Sequence, residues 1–245
     1  MHASLSFLCP ICCEVPGVVP EHREDLACNS CGATWRAQAC MMAILEGLGY
    51  PLDVNPKSVN IDLSRIGLGI SDDWRLARRI NQIFYYTNSF YHRFPVLDVM
   101  NPPQEASNFF EFISCSDVLE HTPPPTTKAL AGLLKILKPG GFAVVTVPCT
   151  SDAQTREYYP GLKDWFIKDN ILYWWDESGV QRSDETPEWH GGEGQTIAFR
   201  HWSRHSLIEE CKKVGFSTAY SPMNMPPIAE QNNNADHAGI VIARR

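Results

Sequence analysis

The chain has 245 residues, an apolar fraction of 44% and a formal net charge of −7. This length accommodates one α/β domain with a small appendage, and the apolar fraction is typical of a globular protein. An acidic chain without a concentrated basic face is not expected to bind nucleic acid, and no apolar run reaches transmembrane length. The tightest basic group is predicted to be a solvated helix face: Arg75, Arg78 and Arg79.

Two C-x-x-C pairs lie near the start of the chain: Cys9 and Cys12, then Cys28 and Cys31. Two such pairs supply the four thiolates of a tetrahedral, structural Zn²⁺ site, in which Cys13 could replace Cys12. Residues 1–36 are therefore predicted to be a zinc-ribbon-like segment that depends on the metal for folding. Nine cysteines, with no signal-like pattern in residues 1–8, predict reduced thiols and a cytoplasmic location.

Residues 37–60 are predicted to form a helix and a linker, because apolar side chains recur at helical spacing from Ala37 to Leu48 before the prolines at 51 and 56. The main domain is predicted to span residues 61–245. It begins with a strand, a glycine turn containing Gly67 and Gly69, and a helix that Ser71 could cap. Two further strands are expected at residues 85–88, ending in Asn88, and at residues 94–97, followed by Asp98.

Residues 112–150 show the strongest pattern in the chain. A buried strand at residues 112–116 precedes Asp117, and leucines at helical spacing follow from Leu130 to Leu137. Thr126 or Thr127 could cap this helix, residues 139–141 are expected to end it, and residues 142–147 form a second buried strand. A strand, crossover helix and strand make a right-handed parallel unit, whose ligands bind at the carboxyl ends of the strands.

The sequence D-V-L-E-H, a leucine-rich helix and L-K-P-G-G before a strand closely resemble the class I S-adenosylmethionine (SAM) methyltransferases. The resemblance implies an α/β, Rossmann-like fold with a seven-stranded sheet whose last strand is antiparallel. It also implies a SAM site at the carboxyl edge of that sheet, with Asn88 near the ribose hydroxyl groups and Asp98 beside the adenine amino group, although both residues by themselves also suit turns. The residues to which this role is carried over are Gly67, Gly69, Ser71, Asn88, Asp98, Val99, Ser116 and Asp117.

Residues 151–200 are predicted to form an aromatic-rich cap over the substrate, because so long a segment is not an ordinary loop. A hairpin is expected in it, with strands at 170–175 and 180–181, and its aromatic side chains have no other evident core to fill. The predicted catalytic residues are two candidate bases and two aromatic residues able to stabilise a sulfonium group: His190, His121, Tyr173 and Trp175.

Ser203 is predicted to cap a helix that Gly215 ends, and residues 216–220 and 239–243 are predicted to be the last two strands. The leading functional hypothesis is methyl transfer from SAM to a small-molecule acceptor. A second hypothesis is that SAM is the sole substrate and cyclises with release of methylthioadenosine. A third is a zinc-ribbon adaptor whose methyltransferase-like domain has no catalytic activity.

Overall fold

The computed structural model describes residues 8–15, 20–150, 152–190, 196–223, 225–226 and 239–245. The helices are α1 Trp35–Gly47, α2 Trp74–Asn81, α3 Thr126–Ile136 and α4 Arg204–Val214. The strands are β1 Asp62–Ile70, β2 Phe84–Ser89, β3 Phe110–Ser116, β4 Leu137–Thr146, β5 Cys149–Thr150, β6 Arg156–Glu157, β7 Asp164–Lys168, β8 Ile171–Trp175, β9 Gln181–Asp184, β10 Trp189–His190, β11 Thr196–Ile197, β12 Arg200–Ser203, β13 Thr218–Tyr220 and β14 Ile240–Arg244. Within these ranges, no helix has the length and apolar composition needed to cross a bilayer.

A central sheet has the strand order β13-β14-β4-β3-β1-β2. Strands β1 to β4 are parallel, β14 is antiparallel to β4, and β13 is antiparallel to β14. Alternate side chains of a strand point to opposite faces of the sheet. The middle strands are buried on both faces because helices cover each of them. Phe112 and Val144 face α1 and α2, while Ile113 and Val145 face α3 and α4. The predicted α/β fold, with its antiparallel last strand, is confirmed.

The described part of the sheet has six strands, because the strand predicted at residues 94–97 does not form. There the chain turns back on itself, with the Phe90 amide donating to the Pro95 carbonyl at 2.8 Å and the Leu97 amide to the Phe90 carbonyl at 2.9 Å. Pro95 has no amide to donate, and the side chain of Phe94 is 91% exposed. Only an isolated bridge between Phe90 and Val96 remains.

Three predicted helix ends are wrong in detail. Asp73 caps α2 by accepting from the Arg75 amide at 2.8 Å, whereas Ser71 lies before the cap with φ of 61°. Pro125 precedes α3, so neither Thr126 nor Thr127 is its cap. Helix α3 ends at Ile136, and residues 139–141 belong to β4, since the chain enters the sheet directly at Leu137. Helix α4 begins after Ser203 and ends at Gly215, as predicted.

The four-cysteine segment shares a core with the central sheet. Buried Cys9 and Cys28 belong to the same apolar cluster as Trp35 of α1 and Phe142 of β4. Helix α2 donates hydrogen bonds to the backbone of both cysteine pairs. The Arg79 side chain donates to the Pro10 carbonyl at 3.3 Å, and the Arg75 side chain donates to the Cys31 carbonyl at 2.9 Å. The interpretation of these arginines as a solvated face is therefore wrong for Arg75 and Arg79.

The described residues of the cap insertion, predicted at residues 151–200, contain a separate apolar core. Strands β7, β8 and β9 form an antiparallel sheet, which confirms the predicted hairpin. One face of it packs on Tyr159, Leu162 and Phe199, with Trp165 and Trp174 at the edge of this cluster. The expectation that the aromatic side chains have no core of their own is wrong, since several of them build this one.

Candidate active site

The carboxyl ends of β1, β2 and β3 bring the predicted SAM residues to one edge of the sheet. Ser71 follows β1, Asn88 lies near the end of β2, and Asp117 follows β3. Residues 88 and 69 are paired across β1 and β2, and residues 116 and 146 across β3 and β4. Parallel pairing therefore places these side chains along one row, which we call the carboxyl edge.

Gly67 and Gly69 lie inside β1, so the predicted glycine turn is wrong. A Cβ atom on Gly67 would lie 2.2 Å from the Phe112 ring, and one on Gly69 would lie 2.4 Å from the Tyr86 hydroxyl oxygen. Both positions need glycine because neighbouring strands carry large side chains over them. Packing within the protein therefore explains both glycines without a ligand.

Asp72 occupies the centre of the carboxyl edge next to β2. Its buried carboxylate accepts hydrogen bonds from the hydroxyl groups of Tyr86 and of Ser114, the latter at 2.8 Å. Asn88 holds the same residue through its backbone, accepting from the Asp72 amide at 3.1 Å and donating to its carbonyl at 3.0 Å. Burial raises the pKa of Asp72 to about 7, although the two hydroxyl groups lower it. In the sequence, only the adjacent acids Asp72 and Asp73 pointed to this region, and nothing marked their hydrogen-bond partners.

Asp98 and Val99 follow the loop that replaces the missing strand. The Asp98 carboxylate accepts from the Met100 amide at 2.8 Å and from the Asn101 side-chain amide at 2.7 Å. The Val99 side chain is buried in the core beneath α3, and its carbonyl oxygen lies 1.8 Å from where a Cβ atom on Gly132 would stand. The structure thus gives Asp98 a turn-stabilising contact and Val99 a packing contact.

Asp117 is paired with two arginines of the N-terminal segment that sequence reasoning did not single out. Its carboxylate lies 2.6 Å from Nη2 of Arg23 and 3.2 Å from Nε of Arg36, and Arg36 also donates to the Ser116 hydroxyl at 2.5 Å. Burial alone would raise the pKa of Asp117, but the two guanidinium groups hold it below its ordinary value. The distance in sequence between these residues left no local signal of the contact.

A second polar group lies where the cap insertion meets the end of β3. It consists of Glu120, His121 and His190, and we call it the Glu120 cluster. Nε2 of His121 is 3.7 Å and Nδ1 of His190 is 3.8 Å from Oε1 of Glu120. The two imidazole rings meet edge to face, with centroids 5.0 Å apart. The structure therefore brings together both predicted histidines, with an acid to which the sequence assigned no role.

The cap insertion holds this cluster in place. Buried Arg200 of β12 donates to the carbonyl groups of Leu119 at 2.9 Å and Thr122 at 2.7 Å, on either side of Glu120. The Phe199 amide donates to the Glu120 carbonyl at 2.8 Å, and the Ile197 carbonyl lies 2.7 Å from Nδ1 of His121. Burial lowers the pKa of His121 and raises that of Glu120 well above its ordinary value.

Tyr173 and Trp175 lie on the other face of the cap sheet. Tyr173 stacks on Phe166 with centroids 5.0 Å apart, and Trp175 contacts the same ring at 5.9 Å. Residues alternate along a strand, so Leu172 and Trp174 face the cap core while these two side chains face away from it. This placement gives no support to a catalytic role for either residue.

The four predicted zinc ligands lie together. The sulfur atoms of Cys9, Cys12, Cys28 and Cys31 are all within 4.8 Å of one another. Two of the separations are 3.9 Å, between Cys9 and Cys31, and 3.6 Å, between Cys12 and Cys28. Tetrahedral coordination with bonds of about 2.3 Å requires sulfur atoms about 3.8 Å apart. The sulfur of Cys13 lies instead 3.5 Å from Nη2 of Arg79, so Cys12, and not Cys13, belongs to the four-sulfur group.

A mostly parallel sheet with helices on both faces is a doubly wound α/β fold, and comparison with known proteins gives the family. Residues 45–220 match the family model described as a methyltransferase domain. The chain therefore belongs to this family, as its resemblance to the class I SAM-dependent methyltransferases predicted. No curated protein matches the chain.

Several solved structures similar to this chain are methyltransferases. One is the 1,6-didemethyltoxoflavin-N1-methyltransferase of Burkholderia thailandensis with bound 1,6-didemethyltoxoflavin and S-adenosylhomocysteine, 14% identical, with a TM-score of 0.44 over 75% of this chain and 72% of that one. Another is a sugar N-methyltransferase from Streptoalloteichus, 10% identical, with a TM-score of 0.44 over 74% and 80% of the two chains. Scores this low do not constrain the acceptor.

Proposed function

We propose that this protein transfers a methyl group from SAM to a small-molecule acceptor. The observation that carries the proposal is the attachment of the cap insertion to the end of β3. Through Arg200 and Phe199 the cap reaches the turn at Glu120 and brings His190 beside His121. Hydrogen bonds from Arg200 hold the cap to the backbone on both sides of Glu120. An acceptor that binds between the cap and the carboxyl edge would therefore be a small molecule.

The residues of the carboxyl edge fit SAM without a glycine cradle. SAM supplies a methyl group on a sulfonium centre when it is bound. Asn88 and Asp98 offer amide and carboxylate groups for its hydroxyl and amino groups, and each of their oxygens can accept a further hydrogen bond. Asp117 is neutralised by Arg23 and Arg36, so we propose that it fixes these arginines at the edge and does not bind the SAM ammonium group.

We propose that the acceptor lies against the Glu120 cluster. His121 is largely buried, while the His190 side chain is 33% exposed and is therefore accessible to an acceptor. Both histidines stay proposed as catalytic residues because they are the groups that such an acceptor would touch. Glu120 joins them as the residue between the two rings.

We also propose that the four cysteines bind one structural Zn²⁺. Their sulfur separations suit tetrahedral coordination, and four protein ligands leave no open position for a substrate. The contacts of Arg75 and Arg79 with the two cysteine pairs would then fix the metal-bound segment to α2.

The function is tested by incubating the protein with SAM and with two fractions of a cell extract, one below and one above a size cut-off that retains proteins and nucleic acids. We expect S-adenosylhomocysteine, identified by mass spectrometry, only with the small-molecule fraction. Methylthioadenosine formed from SAM alone would support the cyclisation hypothesis instead. Product formed only with the macromolecular fraction would contradict a small-molecule acceptor.

The cofactor site is tested by calorimetry with SAM. Replacing Asp98 with Asn removes a charged hydrogen-bond acceptor, so SAM should bind about tenfold or more weakly. Glu105→Gln, in an exposed turn nearby, is the matched control and should bind like the wild type. Absence of SAM binding to the wild-type protein would favour the adaptor hypothesis.

A further inference from the structure

The carboxylate of Glu120 is buried in the Glu120 cluster without a hydrogen-bond donor. Its side chain is 1% exposed, and neither Oε1 nor Oε2 accepts a hydrogen bond from any residue in the described ranges. The contacts with His121 and His190, at 3.7 and 3.8 Å, fall within ion-pair range but are too long for hydrogen bonds. Burial of a carboxylate without a hydrogen-bond donor costs free energy, so a further charged or polar group is expected beside Glu120.

The orientation of His121 shows which of its ring nitrogens is available. Nδ1 lies 2.7 Å from the Ile197 carbonyl oxygen, which can only accept a hydrogen bond. Nδ1 therefore carries the hydrogen, and Nε2 presents a lone pair toward Glu120. A backbone carbonyl that fixes one ring nitrogen in this way is a common outer partner of metal-binding histidines.

The separations between the three side chains match those of metal ligands. In a tetrahedral site with bonds of about 2.1 Å to nitrogen and oxygen, neighbouring ligand atoms are about 3.4 Å apart. Oε1 of Glu120 is 3.7 Å from one imidazole nitrogen and 3.8 Å from the other, and one ligand atom from each residue lies within 4.8 Å of the others. A proton shared between two of these atoms would draw them to less than 3 Å instead.

We propose that Glu120, His121 and His190 bind a divalent first-row transition-metal ion such as Zn²⁺. Two imidazoles and one carboxylate are a typical donor set for such an ion, and three protein ligands leave a coordination position open. This site differs from the four-cysteine cluster, whose ligand set is closed. If the proposed function holds, the open position faces the acceptor, and the ion binds a hydroxyl or other oxygen donor of that molecule. Acceptors with such a donor are then preferred.

The test is a titration with CoCl₂ of protein that already carries Co²⁺ in its four-cysteine site, followed by absorption spectroscopy. Thiolate ligands give intense charge-transfer bands, so the four-cysteine site and the Glu120 cluster can be followed separately in one sample. We expect the wild type to bind a second equivalent, which adds no thiolate bands. Glu120→Gln and His190→Ala should each weaken the second equivalent by about 100-fold or more, because loss of outer partners alone costs 10–100-fold.

His92→Ala is the matched control, since His92 is exposed and distant in the chain, and it should retain both equivalents. The thiolate bands report in each variant that the N-terminal segment is folded. A wild-type protein that binds only the thiolate equivalent, or variants that bind the second equivalent as the wild type does, would overturn the proposal. SAM binding measured by calorimetry in the same variants tests the proposed function separately, because it should not depend on Glu120.

Discussion

The four-cysteine segment and the cap insertion are both additions to the same sheet, but they are stabilised differently. The described residues of the cysteine segment form no core of their own, and the buried ones join those of α1 and β4 in one cluster. The cap has a separate core around Tyr159, Leu172 and Phe199 and is fastened to the sheet by Arg200. Damage to the first should therefore spread into the sheet, whereas damage to the attachment of the second should stay local.

The largest effect is expected from Cys31→Ser. Structural Zn²⁺ sites in small domains contribute about 10–16 kcal/mol of apparent binding free energy, so the loss of a ligand should cost several kcal/mol. Because the segment shares its core with the sheet, the melting temperature of the whole protein should fall, together with its zinc content. Cys13→Ser is the control: Cys13 lies outside the four-sulfur group, and its variant should keep the metal. Zinc loss without a change in melting temperature would show that the two parts are independent.

Arg200→Met should cost about 3 kcal/mol, because it leaves the buried Thr122 carbonyl without its donor, takes one donor from the Leu119 carbonyl and removes the partner of Glu157. Hydrogen exchange should accelerate in residues 156–190 while the zinc content stays unchanged. Arg182→Met, which breaks an exposed pair with Asp176, should change stability much less than Arg200→Met does. If exchange accelerates equally in β3 and β4, the cap is not a separate unit.

Gly67→Ala should destabilise the protein by about 2 kcal/mol, since the added methyl group overlaps the Phe112 ring. Phe112 belongs to the core shared with the cysteine segment, so the affinity for Zn²⁺ should fall as well. A second change, Phe112→Leu, makes room for the methyl group and should recover part of the loss in thermal denaturation. If the second change gives no recovery, the glycine is required for another reason. SAM contact would then be the leading one.

The last effect depends on pH and concerns Asp72, which lies beside the shared core. Its pKa is raised in the folded state, so its protonated form is favoured there, and its contribution to stability is lost as the pH rises from about 4 to about 7. Besides burial, Asp73 raises the pKa of Asp72, whereas Tyr86, Ser114 and Arg36 lower it.

We expect the stability of the wild type relative to Asp72→Asn to fall by about 1 kcal/mol per pH unit over this range. Urea denaturation of both proteins at several pH values measures this difference, in which the other acids cancel. Parallel pH profiles for the two proteins would mean that Asp72 titrates at its ordinary pKa.

The sequence alone determined the parallel core, the cysteine pairs and the hairpin of the cap. Hydrophobic periodicity identified β3, α3 and β4, because the pattern of apolar side chains within each element is local in the sequence. The two C-x-x-C pairs identified the four-sulfur group, because each pair is also a local pattern. The resemblance in residues 112–150 added the family, and the match of residues 45–220 confirmed it.

Only the tertiary structure decided how the site is assembled. Arg23 and Arg36 meet Asp117 from about 80 or more positions away, and His190 meets Glu120 across the cap, so no local pattern marks either contact. Gly67 and Gly69 resembled a ligand turn, yet side chains on β2 and β3 fill the space beside them. Whether a glycine serves a ligand or a neighbouring ring depends on what the fold packs against it, and that is fixed by strand pairing between residues distant in sequence.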